Sequence, residues 1–154
     1  MPHIFIDGIE KSSIAIENTL DNIKKFNCKN QLTVSQYDIL KKIPKKKYDV
    51  VISNPPYIPI SSVQNLEPCV QYYDPMNALT DFNDGMLFYR RIYKILKYIL
   101  HDGGLVVLEF GDNVQCEKII KIFSGFNYEL IYSTNKKLRA IALSWNCFFF
   151  HYWD

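Results

Sequence analysis

Four consecutive residues carry the plainest chemistry in the chain: Asn54-Pro55-Pro56-Tyr57, directly after the apolar run Tyr48-Asp49-Val50-Val51-Ile52-Ser53. Asn offers a carbonyl acceptor and an amide donor on one short side chain. Two prolines remove two backbone donors, stop a strand at once and stiffen the turn that follows. The tyrosine adds an aromatic face. Together these groups can hold a planar NH2 group. The bland reading of the same tetrapeptide is a simple turn. A second candidate chemistry, metal binding, finds no support: Cys28, Cys69, Cys116 and Cys147 show no C-x-x-C spacing and no His in a zinc pattern. They read as small core hydrophobes, and no metal is expected.

The apolar run before Asn54 is rich in β-branched residues and predicts a fully buried strand. The tetrapeptide then stands at the carboxyl end of that strand, where open α/β sheets bind ligands. A first strand is predicted at Ile4-Phe5-Ile6, followed by a helix presenting Ile16, Leu20, Ile23 and Phe26 on one face. Leu32-Thr33-Val34 predicts a short strand. The lysine-rich stretch 41–47 reads as a solvated loop, because no aromatic residues interleave it as nucleic-acid binding would favour. Residues 58–85, with Pro59, Pro68, Pro75 and Gly85, predict an irregular loop, a length that is usually functional or disordered. A helix is predicted over 86–100, with Phe88, Ile92, Ile95, Leu96 and Ile99 inward and Arg90, Arg91, Lys94 and Lys97 in solvent. His101-Asp102-Gly103-Gly104 would stop it. A buried strand over 105–110, a helix over 114–123 and a hairpin of strands 127–134 and 138–145 complete the pattern. The order β-α-β-β-α-β-α-β-β predicts an α/β fold, a doubly wound parallel sheet with an antiparallel C-terminal hairpin. The expected organisation is one partial domain over 1–145 and an aromatic tail over 146–154.

With 154 residues and 48% apolar content, the chain can build one real core. A net charge of +2 supplies no general attraction to nucleic acid, which is not an expected partner. No apolar run reaches transmembrane length, and no membrane association is expected. The absence of a signal peptide and of a disulfide framework predicts a reducing, intracellular setting.

Read together, these segments resemble a known family. Tyr37-Asp38-Ile39 and the stretch from Tyr48 through Asn54-Pro55-Pro56-Tyr57-Ile58-Pro59 resemble the class I S-adenosylmethionine methyltransferases that modify amide or amino nitrogens. Asn65-Leu66-Glu67-Pro68, Tyr73-Asp74-Pro75, Ala78-Leu79, Asp84-Gly85, Phe88-Tyr89-Arg90-Arg91-Ile92 and Gly103 through Gly111 narrow the likeness to release-factor glutamine N5-methyltransferases. The resemblance implies S-adenosyl-L-methionine as cofactor and a peptide-chain release factor as partner, methylated on the glutamine of its Gly-Gly-Gln loop. It implies a cytoplasmic enzyme in a bacterium and a mitochondrial one in a eukaryote. It assigns catalysis to Asn54, Pro55, Pro56 and Tyr57: the Asn54 side chain and the Pro55 carbonyl accept the two amide hydrogens, and Tyr57 packs on the amide plane. It places Glu10, Asp38 and Asn54 at the cofactor, with Asp7 as the alternative to Glu10 for the ribose hydroxyls and Asp38 near the adenine amino group. Outside the resemblance, acids at strand ends are often helix caps or solvated residues. Methylation of amino groups in nucleic acid uses the same tetrapeptide and stands as the alternative activity. A non-catalytic fragment is the third reading.

The departure from the family is large. The six glycines, at 8, 85, 103, 104, 111 and 125, form no glycine-rich cofactor loop, and the chain begins near the family's second strand. The family's strand order, 3-2-1-4-5-7-6, then lacks its central member. Unpaired buried backbone groups cost about 1–3 kcal/mol each. The expectation is therefore a truncated or split protein, or a sheet rearranged so that strands 2 and 4 pair directly.

Overall fold

The computed structural model describes residues 4–145, so the aromatic tail and Cys147 lie outside the described residues. The chain divides into two units, one ending at Ile43 and the other beginning at Pro44. Its strands form two sheets rather than one rearranged sheet.

The first unit is a βαβ element. Strands β1 (Ile6–Glu10) and β2 (Leu32–Gln36) run parallel, in register from Ile6 opposite Leu32 to Glu10 opposite Gln36. Helix α1 (Ser13–Lys25) connects them. Its N-cap is Ser12, whose hydroxyl accepts a hydrogen bond from the Ala15 amide at 3.3 Å, and Lys24 and Lys25 stand favourably in its last turn. The predicted strand at Ile4 begins later, at Ile6, and the predicted apolar face of α1 is only partly covered. Ile23 is buried, whereas Leu20 and Phe26 are exposed. Two strands about 4.8 Å apart are narrower than a helix with its side chains, about 10 Å, so the ladder cannot cover the whole stripe.

The second unit holds strands β3 (Tyr48–Ser53), β4 (Leu100–Glu109), β5 (Asn127–Tyr132) and β6 (Leu138–Ser144) in the order β3-β4-β6-β5. β3 is parallel to β4, and β6 is antiparallel to both β4 and β5. Helices α4 (Leu87–Ile99) and α5 (Asn113–Ile122) supply much of the core. Tyr89, Ile95 and Leu96 of α4 are buried together with Leu108, Ile119 and Ile141. The stretch 58–85 is more ordered than its prolines suggest. It contains a 3-10 turn (Ile60–Asn65) and the short helices α2 (Pro68–Tyr73) and α3 (Met76–Leu79). Pro68 opens α2 and Pro75 caps α3, positions where the missing amide costs nothing.

Three other expectations are corrected. β3 is not fully buried: among the described residues it pairs only with β4, and Val50 and Ile52, two residues apart on one face, are 48% and 76% exposed. An apolar run reports a strand's affinity for cover, not whether cover is present. Gly103 and Gly104 do not stop α4, because Leu100 is already extended and opens β4. The glycines instead form a bulge, since pairing jumps from Tyr48–Leu100 to Val50–Leu105. Finally, Tyr89 rather than Phe88 is the fully buried aromatic residue of α4.

Among the described residues, no helix is long and apolar enough to cross a membrane, and no group of three or more His, Cys, Asp or Glu could hold a metal ion.

Candidate active site

Ser53 pairs with Leu108 in the parallel ladder, so Asn54 leaves β3 level with the carboxyl end of β4. Pro55 is buried and anchors the turn, while Asn54 is exposed. The Asn54 side-chain amide makes no hydrogen bond to another described residue, which leaves both its acceptor and its donor for a ligand. The chain beyond Tyr57 is tied to the 79–83 loop. The Ile58 amide donates to the Leu79 carbonyl and the Ile60 amide to the Asn83 carbonyl, each at 3.0 Å.

Two loops press on Tyr57 from the sides. Gly85 has φ +76°, and a Cβ there would overlap the Tyr57 carbonyl oxygen. A Cβ on Gly111 would stand 3.1 Å from the Tyr57 ring. Glycine is therefore required at 85 both by torsion and by close approach. The Gly85 loop is shaped by Asp81, a carboxylate only 8% exposed. One of its oxygens accepts from the Asn83 and Gly85 amides at 2.8 and 3.0 Å, and the other from the Leu87 amide at 2.9 Å. Gln115, 7% exposed, joins all three segments. Its Nε2 donates to the carbonyls of Tyr57 at 2.9 Å and Gly85 at 3.2 Å, and its Oε1 accepts from the Gly111 amide at 2.9 Å. Asp112 caps α5 by accepting from the Gln115 amide at 2.7 Å, which fixes the first turn carrying this side chain.

Burial raises the Tyr57 phenol above its ordinary pKa, the nearby Glu109 carboxylate adds to the rise, and Arg139 opposes it. Tyr57 is thus held as a neutral phenol. Tyr89 is likewise pushed up, chiefly by burial, and donates its hydroxyl to the Glu109 carbonyl at 2.7 Å. On the outer side, the Arg90 guanidinium grips Asp84 with contacts of 2.7 and 3.0 Å and holds that carboxyl below its usual range. A cavity of about 260 Å³ opens beside Tyr57, lined also by Pro59, Asp84, Asp112, Gln115 and Lys118.

The sequence-predicted acids belong to the first unit. Glu10 ends β1, and its Oε1 accepts from the Lys11 and Ser12 amides at 2.7 and 2.8 Å. Its Oε2 makes no hydrogen bond among the described residues. Asp38 follows β2, accepts from the Leu40 amide at 3.0 Å and lies 3.7 Å from the Lys11 ammonium. The Tyr37 amide donates to the Glu10 carbonyl at 2.7 Å, so the two acids stand at the carboxyl ends of paired strands. Asp7 lies inside β1, with its carboxylate accepting from the Thr33 hydroxyl at 2.6 Å.

Sequence reasoning missed Asp81 and Gln115. Asp81 left a faint signal, an Asp four residues before a glycine in a loop, which is the pattern of a side chain capping backbone amides. Gln115 left none, since two of its three partners, the Tyr57 and Gly85 carbonyls, lie in loops distant in the chain.

Comparison with known proteins gives the chain's family and fold. The family model described as Eco57I restriction-modification methylase matches residues 4–107, more than half of the chain. A release factor glutamine methyltransferase from Fusobacterium nucleatum is 35% identical over 127 residues, covering 82% of this chain and 35% of that protein. One from Bacillus subtilis is 30% identical over 142 residues, covering 89% of this chain and 49% of that protein. The chain therefore spans between a third and a half of the length of these curated relatives. Among solved structures, a methyltransferase from Pyrococcus furiosus superposes with a TM-score of 0.64 at 18% identity, over 92% of this chain and 62% of that one. The fold is the Rossmann-like α/β fold of class I S-adenosylmethionine-dependent methyltransferases.

Proposed function

This chain belongs to the Eco57I restriction-modification methylase family, and on that footing we propose that it methylates a planar nitrogen, the side-chain amide of the glutamine in a release factor's Gly-Gly-Gln loop. One observation carries the reading: the Asn54 amide, exposed and unbonded, stands at the carboxyl end of β3 on a turn locked from behind. The named relatives at 30–35% identity direct the choice of substrate.

S-adenosylmethionine, when bound, supplies an electrophilic methyl group. Glu10 fits its ribose, because two backbone amides already hold Oε1 and Oε2 is left for hydroxyl donors. Asp38 fits an exocyclic amine as a carboxylate acceptor, with Lys11 as its exposed and displaceable neighbour. At the other half of the chemistry, the Asn54 side-chain oxygen and the Pro55 carbonyl accept the two hydrogens of the substrate NH2. With both hydrogens fixed in the amide plane, the nitrogen lone pair is held perpendicular to it; along that line an N–CH3 bond would form as the S–CH3 bond of the sulfonium breaks to a neutral thioether, and one of the two amide hydrogens would leave as a proton to solvent. The amide nitrogen is a weak nucleophile because its lone pair is delocalised. Orientation and acceptors that strengthen as the nitrogen gains positive charge are therefore the main contributions. Tyr57 offers a neutral ring against the amide plane.

The test is transfer of labelled methyl from S-adenosylmethionine to a release factor. Label is expected on the intact factor and absent when its Gly-Gly-Gln glutamine is replaced by alanine. Asn54→Ala is expected to lower transfer about a hundredfold or more, with folding unchanged because the side chain is exposed. The match to a restriction-modification methylase family favours one second reading, methylation of amino groups in nucleic acid, which uses the same tetrapeptide. Label on adenine-containing DNA, with an affinity falling steeply with salt, would establish that reading instead.

A further inference from the structure

We propose that Gln115 is a positioning residue for this methyl-transfer site, setting the turn that carries Asn54 and Tyr57. The proposal rests on the methyltransferase reading above. Gln115 spends three of the four hydrogen-bonding positions of its side-chain amide on the site's backbone. Both N–H bonds of Nε2 are spent on carbonyls, at Tyr57 and Gly85, and Oε1 takes the Gly111 amide. The residue is nine-tenths buried, and its bond to the Gly85 carbonyl is fully buried, so loss of the side chain leaves at least that acceptor without a ready solvent replacement.

The surroundings make Tyr57 sensitive to this one side chain. Its carbonyl packs on Gly85 and its ring on Gly111, with no room for a Cβ at either place without displacement. The segment from Asn54 to Tyr57 contains two prolines with fixed φ. A shift of the Tyr57 carbonyl is therefore carried back toward Asn54 rather than absorbed by rotation. A misplacement of about 1 Å at a reacting group can cost about a hundredfold in rate. Gln115 stands to Asn54 as a distant anchor, joined through Tyr57 across 58 positions of sequence.

The experiment compares three variants of the full chain. Gln115→Met keeps the length and removes all three bonds. Gln115→Glu keeps the acceptor for Gly111 but turns a carboxylate toward two carbonyl oxygens. Ile119→Val, one turn further along α5 and fully buried, is the structural control. Both Gln115 variants are expected to lower kcat by about tenfold to a hundredfold, with KM for S-adenosylmethionine within about twofold of the parent. Ile119→Val is expected to lower Tm and leave kcat alone. Ring signals of 13C-labelled tyrosine, with Tyr57 assigned by Tyr57→Phe, give a readout free of activity. The Tyr57 signal should move in both Gln115 variants and stay in place in Ile119→Val. Parental kcat in Gln115→Met, or a kcat loss that only follows Tm as in the control, overturns the proposal. If the parent transfers no methyl at all, the methyltransferase reading fails by itself. The Tyr57 signal then decides alone: an unmoved signal in both Gln115 variants overturns the positioning role, and a moved one upholds it. Should Gln115→Met not fold, Gln115→Glu is judged by the same criteria.

Discussion

Gly85 and Gly103 share a backbone torsion, φ +76° and +77°, and differ in what surrounds them. That pair isolates the close approach behind the tyrosine turn. A Cβ at 103 meets nothing within 4 Å, whereas one at 85 would overlap the Tyr57 carbonyl oxygen and stand 3.1 Å from the Gln115 amide nitrogen. Alanine at a left-handed position costs about 1–2 kcal/mol. Restricting the unfolded chain returns about 0.4–1 kcal/mol. Gly103→Ala should therefore destabilise by about 1 kcal/mol. Gly85→Ala carries the same term and adds forced displacement of packed backbone, about 1–3 kcal/mol, and loss of the bond from Gln115 to Tyr57, about 1 kcal/mol. The expected total is about 3–5 kcal/mol, a large share of a typical domain stability of about 5–15 kcal/mol. Equilibrium urea unfolding of the two variants beside the parent reads the difference. A difference between them below about 1 kcal/mol would refute the claim that Tyr57 rests on Gly85. Failure of Gly85→Ala alone to fold, with Gly103→Ala folding, is the expected result at its extreme.

Three further outcomes follow from the geometry. Glu10→Gln should weaken S-adenosylmethionine binding at least about tenfold by calorimetry, since a charged acceptor contributes about 1.5–3 kcal/mol, and an unchanged affinity would remove Glu10 from the ribose site. Asp81→Asn should cost about 1–3 kcal/mol in thermal unfolding, because an NH2 would face backbone amides now held by carboxylate oxygens; an unaltered Tm would mean that those three bonds do not shape the Gly85 loop. The Asp84–Arg90 pair should contribute stability above the usual Asp value of 3.8 and lose it as pH falls through the depressed folded value. With side chains 47% and 41% exposed, the pair is worth less than about 1 kcal/mol, so Asp84→Asn should lower stability at neutral pH by less than that, make the acid limb of the stability curve slightly shallower and leave the low-pH end unchanged.

What could be read from the chain in advance divides along a physical line. Covalent neighbours determine the Asn54-Pro55-Pro56-Tyr57 turn, because two prolines act through their own torsions whatever surrounds them, and the turn lies at a strand end as read. The order of strands and helices was legible for a similar reason: periodicity of apolar residues reports which face of an element seeks cover. Cover itself is a property of neighbours. Ile52 and Leu20 have the composition of buried residues and stand exposed, since among the described residues β3 pairs with β4 alone and α1 rests on two strands. Gly103 and Gly104 show the same limit on a smaller scale. A glycine pair after a helical pattern suits a helix stop, but Leu100 is already extended, and the pair serves a bulge opposite β3.

Gln115 marks the far end of that line. Nothing about a glutamine in the first turn of an amphipathic helix distinguishes it from a solvated one, because the information resides in its partners. Two carbonyls and one amide from three separate loops converge on a single planar group, and a planar amide is the one neutral side-chain head that can donate twice and accept at once. The same reasoning applies at the surface of the site. Asn54 presents that identical head to solvent, with its donors and acceptor unspent. One amide thus locks the turn from behind while another, the first residue beyond β3, is left free for a substrate amide. The rate of transfer should depend on the first as strongly as on the second only insofar as the two prolines carry the constraint between them, which is why a kcat loss without a KM change is the decisive signature of the buried glutamine.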